Sequence, residues 1–488
     1  MNRFMKRRTV LGAGLGAGAA AALGGCNLVG SGGGETGTGS GGSGSVTIGL
    51  VPDPAGASEF YAEQIEGFSQ ESGISVKIIE YPSDQIRNAL ELAFPSGDAP
   101  DVVRAQGSTV LEAFSSRDWL ADLTDRAEAD GIIDRLGGAE AMDPQTSGLH
   151  VDGKLMSLPL VSRKWANGPL IWNRALFAKA GLDAPPTTWT EFEQFARELT
   201  KAGAGDFFGF SPGSETAYET KLLQAQGGPN SIQRYALDLI EGKAAEADPS
   251  SVEPVEMFRR MQADKVFQPG WESWSGNRIA QEFAKEKLAM GIVGNWLVNE
   301  SLSLNPELDL GVADIPVPDT GRKGYFAKVP FQPIWSMSAT AKDPDASWEL
   351  MKFLVSDGFQ RGYFEKFRSF TAVDSAWESG NLTEAEQQLS DVLTNGQKAS
   401  PDLRLGGEAQ LAIITALTAE QAINDADGSP QAITRNQPFQ PMAEQRDAMR
   451  EEALEKIFAD LKADGIDASR EDLTFPDWDP MTDWTPAG

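Results

Sequence analysis

Cysteine occurs once in 488 residues, at Cys26, and histidine once, at His150. A single thiol excludes an internal disulfide, a Cys-x-x-Cys redox pair and a thiolate zinc cage. A single imidazole excludes His-rich metal sites and leaves one base for any Ser/His/Asp arrangement. His150 stands in SGLHVDGK beside the turn signal Asp152-Gly153 and is read as an exposed turn residue rather than a catalytic base. Basic residues are also scarce, 42 Lys and Arg against 71 Asp and Glu, for a formal charge of −29. Such a surface repels phosphates and anionic lipid heads, which argues against nucleic acid as a partner. Beyond the first 25 residues no apolar run is long enough to cross a bilayer. No internal repeat appears.

The surroundings of the lone thiol carry a positive reading. Arg3, Lys6, Arg7 and Arg8 precede an apolar, Gly/Ala-rich run from Val10 to Leu23. As a helix this run spans roughly 21 Å at ~1.5 Å per residue, short of the ~30 Å hydrocarbon core, and its glycines weaken it further. A charged start, a short apolar middle and small residues before a cut describe an export signal over residues 1–25. Arg7-Arg8-Thr9-Val10-Leu11 resembles the twin-arginine motif, with Val10 where that motif prefers phenylalanine. Leu23-Gly24-Gly25-Cys26 resembles a lipobox, which implies that Cys26 is acylated and anchors the chain on the extracellular face of the cell membrane. Residues 26–45, rich in Gly and Ser, read as a tether reaching about 25 Å root-mean-square. Gly14 to Ala19 scans as a dinucleotide fingerprint, but no strand precedes it, so the match is compositional.

From residue 46 the pattern alternates. VTIGLV reads as a buried strand, Ser58–Ser72 as a helix closed by Gly73, ISVKIIEY as a strand, Asp84–Phe94 as a helix and PDVVRAQ as a third strand. The β-α-β-α-β order predicts a parallel sheet flanked by helices, with ligands beyond the carboxyl ends of its strands. A second unit follows: KLMSLPL as a strand, Asn173–Ala180 as a helix stopped by Gly181, and a helix opened by the capping box Thr188-x-x-Glu191 and ended by Gly203. Later come the strands KLAMGIVGNW and LGVADIPV, a helix in DPDASWELMKFLVSDG, and a helix over Met442–Asp464. Asp460, Asp464, Gly465 and Glu471 mimic a calcium loop, but Lys462 occupies a ligand position, so a helix stop is preferred.

Several of these segments together resemble the extracellular solute-binding proteins of family 1, the maltose-binding-protein-like receptors of ABC importers. The resemblance rests on APDVVRAQ with RDWLADLTD, on DGKLMSLPL with LIWNRALFAKAGLDAPPTTWTEF, on FAKEKLAMGIVGNW and on DASWELMKFLVSDGFQRGYF, in the family's order. It implies an α/β fold of two hinged lobes, the type II periplasmic-binding-protein-like fold. Residues 46–123 and 309–367 would form lobe 1, and 124–308 with 368–488 lobe 2. It also implies a monomer that closes on a small-molecule ligand, partners the permease subunits of an importer and needs neither metal nor cofactor. Trp296 matches a ring-stacking aromatic of maltose-binding-like members, with Asn295 beside it in the Gly-Asn-Trp run. Arg163 and Lys164 follow SLPLVS, where members place a ligand or interlobe contact. FQPIWSMS departs from the glycine-rich loop common in the family, and carries Gln332 and Trp335.

Residue chemistry adds to this set. Trp165, Trp271, Trp274 and Trp335 lie in expected loops among polar residues, where an indole face can stack on a sugar ring. Trp119, Trp172, Trp189 and Trp348 fit packing patterns instead. Asp53, Arg104 and Gln106 follow strands, and Ser214 and Glu215 occupy the loop after FFGFS. Charged groups there can bond paired hydroxyls, and the cations raise the option of an acidic sugar. The favoured function is therefore a lipid-anchored receptor feeding a sugar or oligosaccharide to an ABC importer, not an enzyme. The alternatives are a secreted carbohydrate-active enzyme using paired carboxylates, a surface adhesion lipoprotein, or a receptor of the same fold for a peptide, polyol or glycerol phosphate.

Overall fold

In the computed structural model residues 44–484 are described, apart from 55, 84, 105–106, 145, 164–167, 214–215, 229–235, 293, 295, 329, 379–381, 402–404, 406–408, 411, 418–429 and 436. The expected signal, Cys26 and nearly all of the tether lie outside these residues.

The first sheet follows the predicted alternation. Strands β1 (Ser45–Leu50), β2 (Ser75–Glu80) and β3 (Val102–Arg104) are parallel, with Ser45 opposite Ser75, Leu50 opposite Glu80 and Ile48 opposite Val102. Helices α1 (Ala57–Ser72) and α2 (Ile86–Ser96) make the crossovers. In α1 the buried residues Ala57, Phe60, Tyr61, Ile65 and Phe68 form one stripe, and Gly73 at φ 73 ends the helix by donating to Ser69 O. A strand from far along the chain, β8 (Trp335–Met337), joins antiparallel at the free edge of β3, giving the order β8-β3-β1-β2.

The second sheet has β4 (Leu170–Asn173), β5 (Phe208–Phe210), β6 (Leu288–Ile292) and β7 (Leu310–Ala313) in the order β7-β4-β6-β5. Every residue of β6 is buried, as its unbroken apolar run requires of a central strand. Helix α3 (Trp189–Gly203) opens on the expected capping box, Thr188 Oγ1 accepting from Glu191 N. Its end differs from expectation: Ala204, at φ 47, is the left-handed residue, and Gly203 is the last helical one. A Cβ on Gly203 would stand 3.1 Å from the Phe207 ring, so that glycine serves close packing rather than the turn.

Two further expectations change. KLMSLPL is not one strand: Lys154–Leu155 pairs with His150–Val151 in a short hairpin, and Leu158 forms an isolated bridge to Trp335. Pro159 has no N–H for a longer ladder. The lobe limits also shift. Residues 123–160 supply Ala127, Ile132, Leu136, Leu149 and Leu158 to the first sheet's core, not the second's, while β7 belongs to the second sheet. Leu158 and Trp335 exchange backbone hydrogen bonds at 2.8 and 2.9 Å, which ties this stretch to β8.

Three segments cross between the sheets. The first runs from Leu158 to β4 and the second from β7 to β8. The third leaves α6 (Asp357–Phe367), pairs Thr371 with Val161, and enters α7 (Glu384–Asn395), where Gln388 accepts from Val312 N of β7. The C-terminal helix α8 (Gln440–Ala463) packs with a ribbon at Leu237–Ala244 in a separate core holding Ile413, Leu454, Leu473, Phe475 and Trp478. At its base the fully buried Glu246 pairs with Arg446 and Arg450. No helix among the described residues is long and apolar enough to cross a membrane.

Candidate ligand-binding site

Trp296 opens α5 (Trp296–Leu304), four residues beyond the end of β6. Of the described tryptophans it alone is exposed, at 37 %. Two glycines make room for its indole. A Cβ on Gly276, the first residue of α4 (Gly276–Ala284), would lie 2.1 Å from the ring, and one on Gly294 would lie 2.5 Å from Nε1. The ring is thus seated against two bare stretches of backbone with part of its surface in solvent, a geometry suited to stacking.

The other tryptophans expected in the site are packed. Trp271 is 1 % exposed, edge-on to Phe267 at 5.3 Å, and its Nε1 donates to Gln262 Oε1 at 3.0 Å. The short 3-10 turn at Trp271–Ser273 aims the ring into the second core, so its role is structural. Trp274 is 7 % exposed, with the Arg278 guanidinium 5.7 Å from its ring centre. Trp335 is fully buried: its strand pairs with β3 on one side and bonds to Leu158 on the other, and its ring meets Tyr61 edge-on at 6.0 Å. Gln332, three residues earlier, is half-buried. Trp119 stacks on Phe94, Trp172 meets Phe177 edge-on, Trp189 donates to Pro316 O and Trp348 to Asp130, the packing roles expected of them.

On the first sheet, Asp53 is exposed beyond β1. Arg104 ends β3 opposite Trp335, and its Nε is buried without an acceptor, as are Tyr61 Oη and Trp335 Nε1. Tyr363 of α6 stands 6.4 Å from Tyr61; burial pushes its phenol up to about 12. Burial also raises Tyr61 well above the ordinary tyrosine value, against the pull of Arg104. Neither Tyr61 nor Tyr363 is singled out by its sequence surroundings. Their hydroxyls gain meaning only once β8 brings Trp335 beside Arg104.

Arg163 lines a cavity of about 1160 Å³ together with Asp143, Lys328, Phe331, Gln397 and Trp484, at the segments that cross between the sheets. Its guanidinium lies 5.7 Å from the Phe331 ring centre and donates to Ala141 O at 3.4 Å. Burial pulls its pKa below the usual arginine value, while Glu140 and Asp143 push it back up. Cys26, Gln106, Lys164, Trp165, Ser214, Glu215 and Asn295 lie outside the described residues.

His150 is half-buried at the start of the short hairpin, not exposed, and its Nδ1 is 2.8 Å from Ser147 Oγ. The run Gly209-Phe210-Ser211-Pro212-Gly213 has the spacing of a nucleophile elbow, a match the sequence reading overlooked. Ser211 is 1 % exposed and its Oγ accepts from Gln268 N, while the chain's one imidazole, His150, sits in the first core's hairpin with its Nδ1 on Ser147. Among the described residues no three His, Cys, Asp or Glu side chains are grouped to hold a metal ion.

The family model for bacterial extracellular solute-binding proteins matches residues 52–361. A putative binding protein of Brucella abortus (strain 2308) is 24 % identical over 398 residues, covering 78 % of this chain and 89 % of that protein. The maltodextrin-binding protein MdxE of Bacillus subtilis (strain 168) is 24 % identical over 356 residues, covering 70 % and 78 %. Among solved structures, the GacH receptor of Streptomyces glaucescens, known unliganded and with acarbose, superposes with a TM-score of 0.61 at 20 % identity, covering 86 % of this chain and 99 % of that one. The Thermus thermophilus maltotriose binding protein gives 0.60 at 19 % identity, covering 84 % and 99 %. At these identities the likeness is one of fold, the two-lobe type II α/β architecture.

Proposed function

This chain belongs to the bacterial extracellular solute-binding proteins, and we propose that it captures a sugar or oligosaccharide between its two lobes and passes it, chemically unchanged, to the permease subunits of an ABC importer. The observation that carries the sugar assignment is Trp296, the one exposed indole among the described residues, seated on Gly276 and Gly294 past the end of β6. A sugar ring offers an apolar face for such an indole and hydroxyls for polar neighbours. The ligands found with proteins of this fold point the same way: acarbose, maltotriose and α-D-tagatose.

Three crossing segments suit a hinge. A ligand that contacts both lobes binds the closed form more tightly and shifts the population toward it, and the importer would select that form. Acylation of Cys26 would hold the monomeric body outside the membrane on its Gly/Ser tether. Asn295, Trp165, Lys164, Gln106, Ser214 and Glu215 remain proposed ligand contacts.

The test is calorimetric titration of the full-length chain with maltotriose, acarbose and tagatose, with recovery of the sugar afterwards. Saturable binding and an intact sugar support a receptor. A cleaved sugar would make the protein an enzyme, and no heat with any sugar would remove the sugar assignment. The anchor is tested by Cys26→Ser, which should release the protein from membranes into the medium.

A further inference from the structure

We propose that lobe 1 takes a negatively charged oxygen group of the ligand on Arg104, with Tyr61 and Trp335 as neighbouring donors, so that the bound solute is an anionic sugar. The inference rests on the sugar-receptor reading and narrows it.

Three observations converge. Directly opposed residues of an antiparallel pair share a face, so Arg104 and Trp335 project to the same side of the first sheet. That side is covered by α1, since the Trp335 ring meets Tyr61 at 6.0 Å. Beyond its backbone pairing in β3, the Arg104 side chain forms no hydrogen bond or ion pair with a described residue, and its Nε is buried without an acceptor. Tyr61 Oη and Trp335 Nε1, both in side chains at most 1 % exposed, have no partner either.

The chemistry of the three groups is one-sided. A guanidinium and an indole N–H only donate, and a tyrosine hydroxyl, which can donate or accept, is free to donate to the same acceptor. Buried polar side-chain atoms in folded proteins are overwhelmingly satisfied, so three unsatisfied donors around one strand end await an acceptor. Asp53, exposed beyond β1, forms no ion pair with Arg104. A neutral hydroxyl can accept one of these bonds but leaves the guanidinium uncompensated once closure expels water. A carboxylate or phosphate oxygen group accepts several at once and neutralises the charge, the arrangement in which charge-assisted bonds are strongest. The same anionic chemistry arises from a uronic acid or from a sugar phosphate, and the ligand panel separates the two.

The experiment titrates the full-length protein with trigalacturonate, maltotriose and glucose 6-phosphate at fixed pH and salt. At least one anionic sugar should bind tenfold or more tightly than maltotriose; trigalacturonate leading assigns a carboxylate, and glucose 6-phosphate leading assigns an ester. Arg104→Met should abolish that preference, Arg104→Lys should restore part of it, and Tyr61→Phe should weaken the anionic ligand alone. If Arg104→Met does not fold, Arg104→Lys and Tyr61→Phe carry the test. Maltotriose binding as tightly as both anionic sugars overturns the proposal and leaves the sugar receptor standing. Binding of none of the three overturns both. A ligand-bound crystal structure with only an ordered water on Tyr61 and Trp335, and the charged group placed elsewhere, also overturns it.

Discussion

Replacing Gly276 by alanine separates the seat of Trp296 from the stability of the fold. The new Cβ would stand 2.1 Å from one carbon of the indole and 2.5 Å from the next. Ordinary carbon contacts begin near 3.5 Å, so the ring must retreat by more than about 1 Å. The backbone does not resist the change, because Gly276 is the first residue of α4 and is not among the residues with positive φ. Alanine is the better helix former by up to about 1 kcal/mol, so unfolding free energy should hold or rise slightly. The ligand stack should suffer instead. A displaced aromatic face forfeits about 1 kcal/mol, or roughly a five- to tenfold loss of sugar affinity. Calorimetric titration with the best-binding sugar and a urea melt on the same preparation give both quantities. A folded variant with affinity within twofold of the parent would refute the assignment of Trp296 as a sugar platform. A loss of stability beyond about 1 kcal/mol would make the Gly276–Trp296 contact a packing feature instead.

Trp271→Phe should cost about 1–2 kcal/mol, through a small void and the lost bond to Gln262, and leave sugar affinity unchanged; a tenfold loss of affinity would return Trp271 to the site. Glu246→Gln should lower unfolding free energy by about 1–3 kcal/mol, since Arg446 and Arg450 lose their shared buried carboxylate while Asp447 stays 3.6 Å from Arg450; a loss under about 0.5 kcal/mol in urea would show the Glu246 pairing to be inessential. Burial lowers the pKa of His150 despite the opposing charges of Asp143 and Asp122. Its contribution to stability is therefore complete above the unfolded value of 6.5 and is lost as pH falls through the lower folded value. As the only histidine it gives one imidazole resonance set, and an NMR titration midpoint above 6.5 would contradict this. Glu386 is pushed up by burial but held below the usual carboxylate value by Arg368 and Thr383. Its share of stability should persist above 4.5 and fade as pH drops below it, and Glu386→Gln should flatten the stability profile there; an unchanged acid limb would refute the pairing.

Much of the architecture was legible because its causes are local. Gly73 stops α1 and Thr188 with Glu191 opens α3 through bonds spanning three or four residues, which any reader of the chain can anticipate. The alternation from Val46 to Arg104 likewise forced a parallel sheet, since each apolar strand needs a helix to return the chain. The charge balance and the lone cysteine narrowed the class of partner before any fold was known.

The site was decided by tertiary structure. Trp271, Trp296 and Trp335 look alike in sequence, each set among polar and small residues. Their fates diverge because burial depends on what comes to lie beside them: β3 covers Trp335 from some 230 residues away, whereas Gly276 and Gly294 leave Trp296 partly bare. Arg104 stands beside Tyr61 and Trp335 for the same reason, as no local pattern announces that β8 will pair at its edge. Local hydrogen bonding chose the elements, and long-range packing chose which polar side chains were buried together and which indole stayed exposed.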